Sequence, residues 1–188
     1  MKKFLIFTTL FLMAFSSFQI NASSSASSQK TDNSEKITGL INELSGNLPK
    51  SQIQLKDFKI FDMENKSHQL FDYKGKVILL NFWATWCPPC RAEMPSMEKL
   101  SNEYKNKNFT VLAVSAEDFK TVKNFITTNK YTFPVFTDDN GQLNNAYGTG
   151  SIPTTYLIDK NGNMIAQFVG SREWDSQTAK DLINNLLK

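Results

Sequence analysis

The chain has 188 residues, with 21 Lys and Arg against 18 Asp and Glu, a net charge of +3, two cysteines and one histidine. The charge is spread without a basic cluster, which argues against nucleic-acid binding. Two cysteines and His68 cannot supply the four ligands of a structural zinc site, and one cysteine pair cannot form a disulfide framework. Any special cysteine chemistry therefore rests on Cys87 and Cys90.

The first 22 residues have the layout of a secretory signal. Lys2 and Lys3 precede a run of uncharged, mostly apolar residues at positions 4–20, and a serine-rich stretch follows. This run is slightly short of the roughly 20 residues needed to span a bilayer. We expect 1–22 to be a signal peptide, with a retained N-terminal anchor as the alternative. In both cases the domain would lie outside the cytoplasm, in the periplasm or secreted, because the positive end stays inside.

Residues 23–50 are expected to form a tether and a short helix. Positions 22–34 contain six serines and no aromatic residue, a composition typical of a flexible segment. Apolar residues then recur at helical spacing, at Ile37, Leu40, Ile41, Leu44 and Leu48. This spacing predicts a short amphipathic helix that ends near Gly46 and Pro49.

Residues 51–188 show alternating strand and helix patterns, which predict an α/β domain with a central mixed sheet flanked by helices. Strands are predicted at 58–62, 77–83, 108–116, 134–137, 154–158 and 163–169, and helices at 88–106, 118–129 and 175–187. The run at 77–83 is apolar except for Asn81, as in a strand buried on both faces. Positions 159–162 have the composition of a hairpin turn.

The two cysteines lie where the strand at 77–83 is followed by a helix. Cys87 would stand at the helix N-terminus, where free N–H groups and the helix dipole stabilise a thiolate. We therefore expect Cys87 to be the exposed nucleophile and Cys90 the covered resolving thiol. Pro88 and Pro89 lack N–H groups, which leaves those of Cys90 and Arg91 to face the Cys87 sulfur.

A dithiol of this kind exchanges disulfides. Cys87 would attack a substrate disulfide to form a mixed disulfide, and Cys90 would then attack Cys87 and release reduced substrate. The alternatives are half of a zinc site, a structural disulfide and two inert core thiols. The chain lacks partner ligands for zinc, a bridge over so short a loop restrains the unfolded chain little, and inert thiols leave the position at a helix start unexplained.

The segment VILLNFWATWCPPCRAEMP at 77–95 resembles the active-site segment of the thioredoxin superfamily, specifically of TlpA/ResA-like thiol-disulfide oxidoreductases. GTGSIPTTYLIDKNG at 148–162 matches as well, and the resemblance covers about 54–188. It implies a thioredoxin fold with an insertion between the active-site helix and a cis-proline loop. It also implies a secreted or membrane-tethered protein.

By this resemblance, Pro153 is the proline that follows a cis peptide bond and lies beside the cysteines. Ile152 would then offer its backbone to an extended substrate segment. Trp86, next to the nucleophile, is expected to contact partners, because its side chain combines an apolar ring with a polar N–H. We assign substrate contact to Trp86, Pro88, Pro89 and Ile152 and a catalytic role to Pro153.

Glu93 is the expected proton acceptor. It follows Cys90 by three residues, on the same helical face, and the alternative is a surface carboxylate. In the ResA-like family a glutamate at this position affects thiol acidity. Asn81 stands where thioredoxins have a buried aspartate, and an amide cannot act as that base. His68 and Trp174 receive no role.

Together these features predict an extracytoplasmic enzyme that exchanges protein disulfides and requires no organic cofactor or metal. The resemblance implies reduction, for instance of apocytochrome c before haem attachment, with a membrane thiol reductase as electron donor. The rivals are a Dsb-like oxidase or isomerase, a thiol peroxidase and a copper metallochaperone.

Overall fold

The computed structural model describes residues 20–138, 140–147 and 150–188. The described residues fall into two units, with the boundary after Lys36. The predicted signal peptide lies almost entirely outside these residues. Within the described ranges, no helix has the length and apolar character needed to cross a membrane.

The serine-rich stretch is helical, whereas its composition predicts a flexible tether at 22–34. Helix α1 spans Ile20–Glu43 and contains this stretch. Residues 20–38 include neither proline nor glycine, and Ala, Gln and Lys favour a helix while Ser weakens it only slightly. The predicted amphipathic helix overlaps the last part of α1, which ends at Glu43, so Leu44 and Leu48 lie beyond it. Ser45 follows with a φ of +54°.

In the described part of the chain, seven strands form one mixed sheet. They are β1 (Lys59–Asp62), β2 (Ser67–Gln69), β3 (Val77–Trp83), β4 (Phe109–Ser115), β5 (Val135–Thr137), β6 (Thr154–Ile158) and β7 (Met164–Val169). Their order across the sheet is β2-β1-β5-β4-β3-β6-β7. Strands β3, β4 and β5 are parallel, and the other neighbouring pairs are antiparallel.

Among the described residues, four further α-helices lie between the strands or after the last of them. They are α2 (Pro88–Glu103), α3 (Phe119–Asn129), α4 (Gln142–Tyr147) and α5 (Gln177–Leu187). Asp118 caps α3 by accepting from the Thr121 N–H, and Ser176 caps α5 in the same way. Sequence analysis missed α4, β2 and the 3₁₀ turn at Leu70–Tyr73, because elements this short carry too few residues to show a periodicity.

Every residue of β3 is buried. Val77, Leu79 and Trp83 belong to the core on one face of the sheet, which also receives apolar side chains from α2, α3 and α5. Ile78, Leu80 and Phe82 belong to the core on the other face, together with a side chain from α4. The predicted thioredoxin fold, a mixed sheet flanked by helices, is confirmed. The insertion before the proline loop stays a prediction.

The segment after α1 covers the outer edge of the sheet. Asn47 exchanges two backbone hydrogen bonds with Gln167 of β7, at 2.7 and 2.9 Å. A Cβ at Gly46 would overlap the ring of Phe168, so this position requires glycine. The segment around 44–47 therefore packs closely against β7. The turn that follows β7 contacts α2, the helix that carries Cys90.

Candidate active site

Cys87 lies four positions beyond the end of β3 and meets Cys90 at the start of α2. Cys87 is the N-cap residue of the helix and is joined to Cys90 by a disulfide. Pro88 and Pro89 occupy the first two helical positions, where an N–H group would have no partner within the helix. The sequence therefore starts the helix at the redox pair without losing a helical hydrogen bond.

One backbone donor faces the Cys87 sulfur where the sequence predicts two. The Cys90 N–H donates to this sulfur over 3.3 Å. The Arg91 N–H donates instead to the Cys87 carbonyl oxygen, at 3.1 Å. This bond is the first of the ordinary helical ladder, which explains why the Arg91 donor is not available to the sulfur.

The Cys87 residue is less exposed than predicted. It is 3% exposed in the disulfide form, and Cys90 is fully buried. The Ile152 carbonyl oxygen lies 3.8 Å from the Cys87 sulfur, so the proline loop covers it. Trp86, in contrast, is 69% exposed beside the disulfide.

The Ile152–Pro153 peptide bond is cis, as the family resemblance implies. Pro153 is buried and its carbonyl accepts from the Gly170 N–H over 2.9 Å. Strand β6 begins at the next residue and pairs with β3, with Thr154 opposite Phe82. This pairing brings the loop and the cysteines to the same end of the sheet.

Glu93 is buried, with 2% exposure, so its interpretation as a surface carboxylate was wrong. Three donors contact its carboxyl group. Asn81 Nδ2 donates to Oε1 at 2.8 Å, and Oε2 accepts from the Trp174 indole N–H at 3.0 Å and from the Arg172 backbone N–H at 3.2 Å. Glu93 follows Cys90 by three residues, and both side chains are buried on the core side of α2.

Burial raises the pKa of Glu93 to about 7, although hydrogen bonds from Asn81, Trp174 and Arg172 and the charge of Arg172 act to lower it. Removal from water penalises the charged form more than three donors compensate. The carboxyl group can therefore gain or lose a proton near neutral pH, which is the property required of a proton acceptor in this reaction.

Asn81 can accommodate both protonation states of Glu93. Its Nδ2 also donates to Thr155 Oγ1 at 2.9 Å, while its buried Oδ1 has no partner among the described residues. Rotating the amide by 180° would present Oδ1 to Glu93 and Thr155, and both can donate once Glu93 is protonated. An amide at this strand position thus serves as partner to the acid rather than as the acid itself.

Sequence analysis missed two residues that contact Glu93. Trp174 is 2% exposed and Arg172 is half-buried, and they lie 81 and 79 positions from Glu93 in the chain. No local motif links them to α2, because they contact Glu93 only when the turn after β7 packs against this helix.

A carboxylate that sequence analysis missed holds the loop that precedes the cysteines. Glu117 accepts from the Thr85 backbone N–H at 2.6 Å and from Thr85 Oγ1 at 2.7 Å. It also accepts from Ser115 Oγ at 3.1 Å, at the end of β4. These bonds tie the residue before Trp86 to the neighbouring strand.

Of two cavities in the described structure, one lies beside the cysteines and the other lies away from them. A groove of about 290 Å³ beside them is lined by Thr85, Arg91 and residues of α3, including Phe125. A larger cavity of about 560 Å³ lies toward the other edge of the sheet, and His68 at its wall pairs with Asp62 at 2.7 Å. The groove is therefore the one that belongs to the site.

Residues 52–167 match the AhpC/TSA family. A thiol-disulfide oxidoreductase ResA from Geobacillus thermodenitrificans is 46% identical over 109 residues, which make up 57% of this chain and 63% of that relative. The match thus spans slightly less than two thirds of the relative's length.

Solved structures show the same architecture. A protein described as thiol:disulfide interchange protein DsbE from Chlorobium tepidum has a TM-score of 0.68 at 33% identity, over 76% of this chain and 100% of that chain. The exposed lipoprotein thioredoxin Etrx1 of Streptococcus pneumoniae has a TM-score of 0.58 at 34% identity, over 67% of this chain and 99% of that chain. Because the family match spans more than half of the chain and the first of these structures is covered over its whole length, the chain belongs to the AhpC/TSA family, on the TlpA/ResA-like branch of the thioredoxin superfamily.

Proposed function

We propose that this protein is an extracytoplasmic thiol-disulfide oxidoreductase that acts on protein disulfides through Cys87 and Cys90. One observation supports this most directly, namely the Cys87–Cys90 disulfide at the first turn of α2, next to the Ile152 carbonyl. The names of the relatives agree with it. The disulfide is itself the redox group, and the proposal includes no organic cofactor or metal.

In the reducing direction, the Cys87 thiolate attacks one sulfur of the substrate disulfide. The substrate S–S bond breaks, a Cys87–substrate bond forms, and the second substrate sulfur leaves as a thiolate that takes a proton from water. Cys90 then transfers its thiol proton to the Glu93 carboxylate and attacks Cys87. The mixed disulfide breaks and the first substrate sulfur leaves as a thiolate, so two electrons have passed to the substrate.

The surface around the disulfide suits an unfolded or extended protein segment. Trp86 is 69% exposed and Val169 is 46% exposed, and Val169 pairs with Thr154, the residue after Pro153. An extended segment could add to the backbone at Ile152, with Pro88, Pro89 and Trp86 supplying apolar contact. Recognition of this kind reads backbone shape and accepts many substrates.

The roles of the two cysteines are tested by substitution. Cys90→Ser should accumulate mixed disulfides with substrate, whereas Cys87→Ser should form none, and both variants should lose turnover. In the reduced wild type, brief iodoacetamide treatment followed by mass mapping should find label on Cys87 before Cys90. Faster labelling of Cys90, or trapping by Cys87→Ser instead, would reverse the assignment.

The direction proposed is reduction. With Pro88 and Pro89 at the helix start, the Cys90 N–H is the backbone donor to the Cys87 sulfur, so its thiolate is stabilised only moderately. Strong stabilisation raises the reduction potential to about −120 mV, and thioredoxin-like reductants lie near −270 mV. Equilibration with glutathione, read by thiol trapping, should give a value near the second. A potential above roughly −180 mV would favour the Dsb-like oxidase or isomerase instead.

Substrate and electron donor follow from the resemblance and are proposed on that basis. An oxidised Cys-x-x-Cys-His peptide, the haem-attachment sequence of c-type cytochromes, is the probe for a role in cytochrome c maturation. A peptide with the histidine replaced by alanine serves as the control for sequence preference. Trapping with Cys90→Ser in intact cells should recover such substrates, and trapping in membranes should recover the thiol reductase that supplies electrons.

Location outside the cytoplasm is proposed from the charged and apolar leader at 1–22, and the pneumococcal relative is named an exposed lipoprotein. N-terminal sequencing of the exported protein separates a cleaved signal peptide from a retained anchor. Recovery of the whole precursor in the cytoplasm would contradict this part of the proposal.

A further inference from the structure

We propose that Arg172 and Trp174 are positioning residues that hold the Glu93 carboxyl group ready for proton exchange with Cys90. The inference rests on the proposed disulfide exchange and extends it to the turn at 170–174, which connects β7 to α5. Neither residue carries a role in the sequence motifs around the cysteines.

The guanidinium group of Arg172 is bound by backbone carbonyls from two segments. Nε donates to the Leu44 carbonyl at 2.7 Å and Nη2 donates to that of Ser45 at 2.9 Å. Nη1 donates to the carbonyls of Gly170 at 2.6 Å and Val169 at 3.1 Å. Only a planar fork of several N–H groups matches this arrangement, and a lysine ammonium does not.

The guanidinium group thus joins Arg172 to the segments at 44–45 and 169–170, and its main chain contacts α2. Its N–H donates to Glu93 Oε2 at 3.2 Å, and its carbonyl lies 3.3 Å from Ser96 Oγ. The same Ser96 hydroxyl accepts from the Trp174 backbone N–H at 2.9 Å. The turn is thereby attached to α2 directly beside the carboxyl group.

Trp174 supplies the second donor to the same oxygen. Its indole N–H donates to Glu93 Oε2 at 3.0 Å, and its ring packs edge to face against Phe168 with centroids 5.3 Å apart. Asn81 of β3 holds the other oxygen. The carboxyl group is therefore oriented from the turn on one side and from the sheet on the other.

Few charged or hydrogen-bonding groups surround the Glu93 carboxyl group. Arg172 supplies a positive charge and Trp174 an indole N–H from the turn, and Asn81 supplies a neutral amide from β3. Cys90 precedes Glu93 by three residues on α2. Each donor stabilises the carboxylate relative to the acid. Loss of one donor should therefore raise the midpoint of Glu93 titration by about one pH unit.

The first test uses the oxidised protein, in which the cysteines carry no proton. Selective ¹³C labelling of glutamate carboxyl carbons follows Glu93 by NMR, with Glu93→Gln identifying the signal. Trp174→Phe, which removes the N–H but keeps a ring against Phe168, should raise the midpoint by about one pH unit. Arg172→Lys should raise it as well, and Arg172→Gln should raise it further because the charge is also lost.

Trp83→Phe is the matched control for the loss of a buried indole. Trp83 is also 2% exposed, but its Nε1 has no partner among the described residues. The midpoint of Glu93 should stay unchanged in this variant. The wild-type protein offers a check that needs no substitution, since the Trp174 indole N–H signal should follow the titration of Glu93 and lose its pH dependence in Glu93→Gln.

The second test measures how fast Cys90 resolves a preformed mixed disulfide, from pH 5 to 9. The pH profiles of Trp174→Phe and Arg172→Lys should move to higher pH with the NMR midpoint. Adding Arg172→Lys to Glu93→Gln should cause no further shift, because the group that Arg172 positions is already removed.

An unchanged Glu93 midpoint in both single variants, or an Arg172→Lys shift that persists in the Glu93→Gln background, would overturn the proposal. A Trp174 indole N–H signal that does not change with pH in the wild-type protein would also overturn the proposal. Failure of the disulfide exchange itself is recognised separately, because Cys90→Ser would then trap no substrate whatever the midpoint of Glu93.

Discussion

Helix α2 carries two glutamates that accept several hydrogen bonds yet differ in chemistry. Glu93 lies at the cysteine end, is buried and accepts three hydrogen bonds. Glu98, five positions later, is half-buried and accepts four. Its partners are Asn102 on the same helix and Thr132 and Phe133 in the loop before β5.

The pKa values of the two carboxyl groups move in opposite directions. Burial raises the pKa of Glu93 to about 7 in spite of its donors. Burial also opposes ionisation of Glu98, but there the bonds from Thr132, Asn102 and Phe133 outweigh it and lower the pKa below its ordinary value. Three hydrogen bonds do not offset the deep burial of Glu93, whereas four outweigh the smaller burial of Glu98. The balance between burial and hydrogen bonds therefore decides which glutamate can exchange protons near neutral pH.

The largest expected effect is on the pH dependence of the free energy of unfolding. Between pH 4.5 and about 7, folded Glu93 keeps a proton that the unfolded chain has released, so stability falls as pH rises through this range. The loss is roughly 3 kcal/mol. Denaturant unfolding at several pH values should show this fall in the wild type and its absence in Glu93→Gln. Parallel curves for the two proteins would show that burial does not govern Glu93.

Glu93→Gln should also slow the resolution of a mixed disulfide by about 100-fold near pH 8, since an amide cannot accept the Cys90 proton. Initial attack by Cys87 should change less. The glutamine can keep its contacts, because a rotated Asn81 amide can accept from its Nε2. Stopped-flow measurements test this, and Glu98→Gln is the control on the same helix. If the wild-type protein resolves the mixed disulfide at a rate that is independent of pH between 6 and 9, Glu93 does not take part in this step.

The smallest effect is expected at the other end of α2. Glu98→Gln should lower the free energy of unfolding by about 1 kcal/mol at pH 7, because a half-exposed, charge-assisted contact to Thr132 and Phe133 is weakened. This difference should shrink as the pH falls through the lowered pKa of Glu98, where the wild-type carboxyl group also becomes neutral. A Glu98→Gln defect in disulfide turnover would contradict the distinction between the two glutamates.

Most of the fold follows from patterns within short stretches of sequence. The strand at 77–83, the helix that begins at Pro88 and the capped helix after Asp118 lie where apolar periodicity and capping residues predict them. The elements that were missed are short, as α4 is. The composition of 22–34 predicts a tether, whereas the structure has a helix there. A low apolar content indicates that a segment cannot form a core, but a helix needs only backbone hydrogen bonds and the absence of helix-breaking residues.

The position of the redox pair follows from local sequence, since Cys87, Cys90 and the prolines between them are neighbours along the chain. The protonation state of Glu93, in contrast, depends on contacts between distant parts of the chain. Its burial, its contact with Trp174 and Arg172 and its partner Asn81 come from elements about 80 and 12 positions away. The desolvation of a carboxyl group depends on everything packed around it. A local motif can place the acid beside the thiol, but only the folded chain sets its proton affinity.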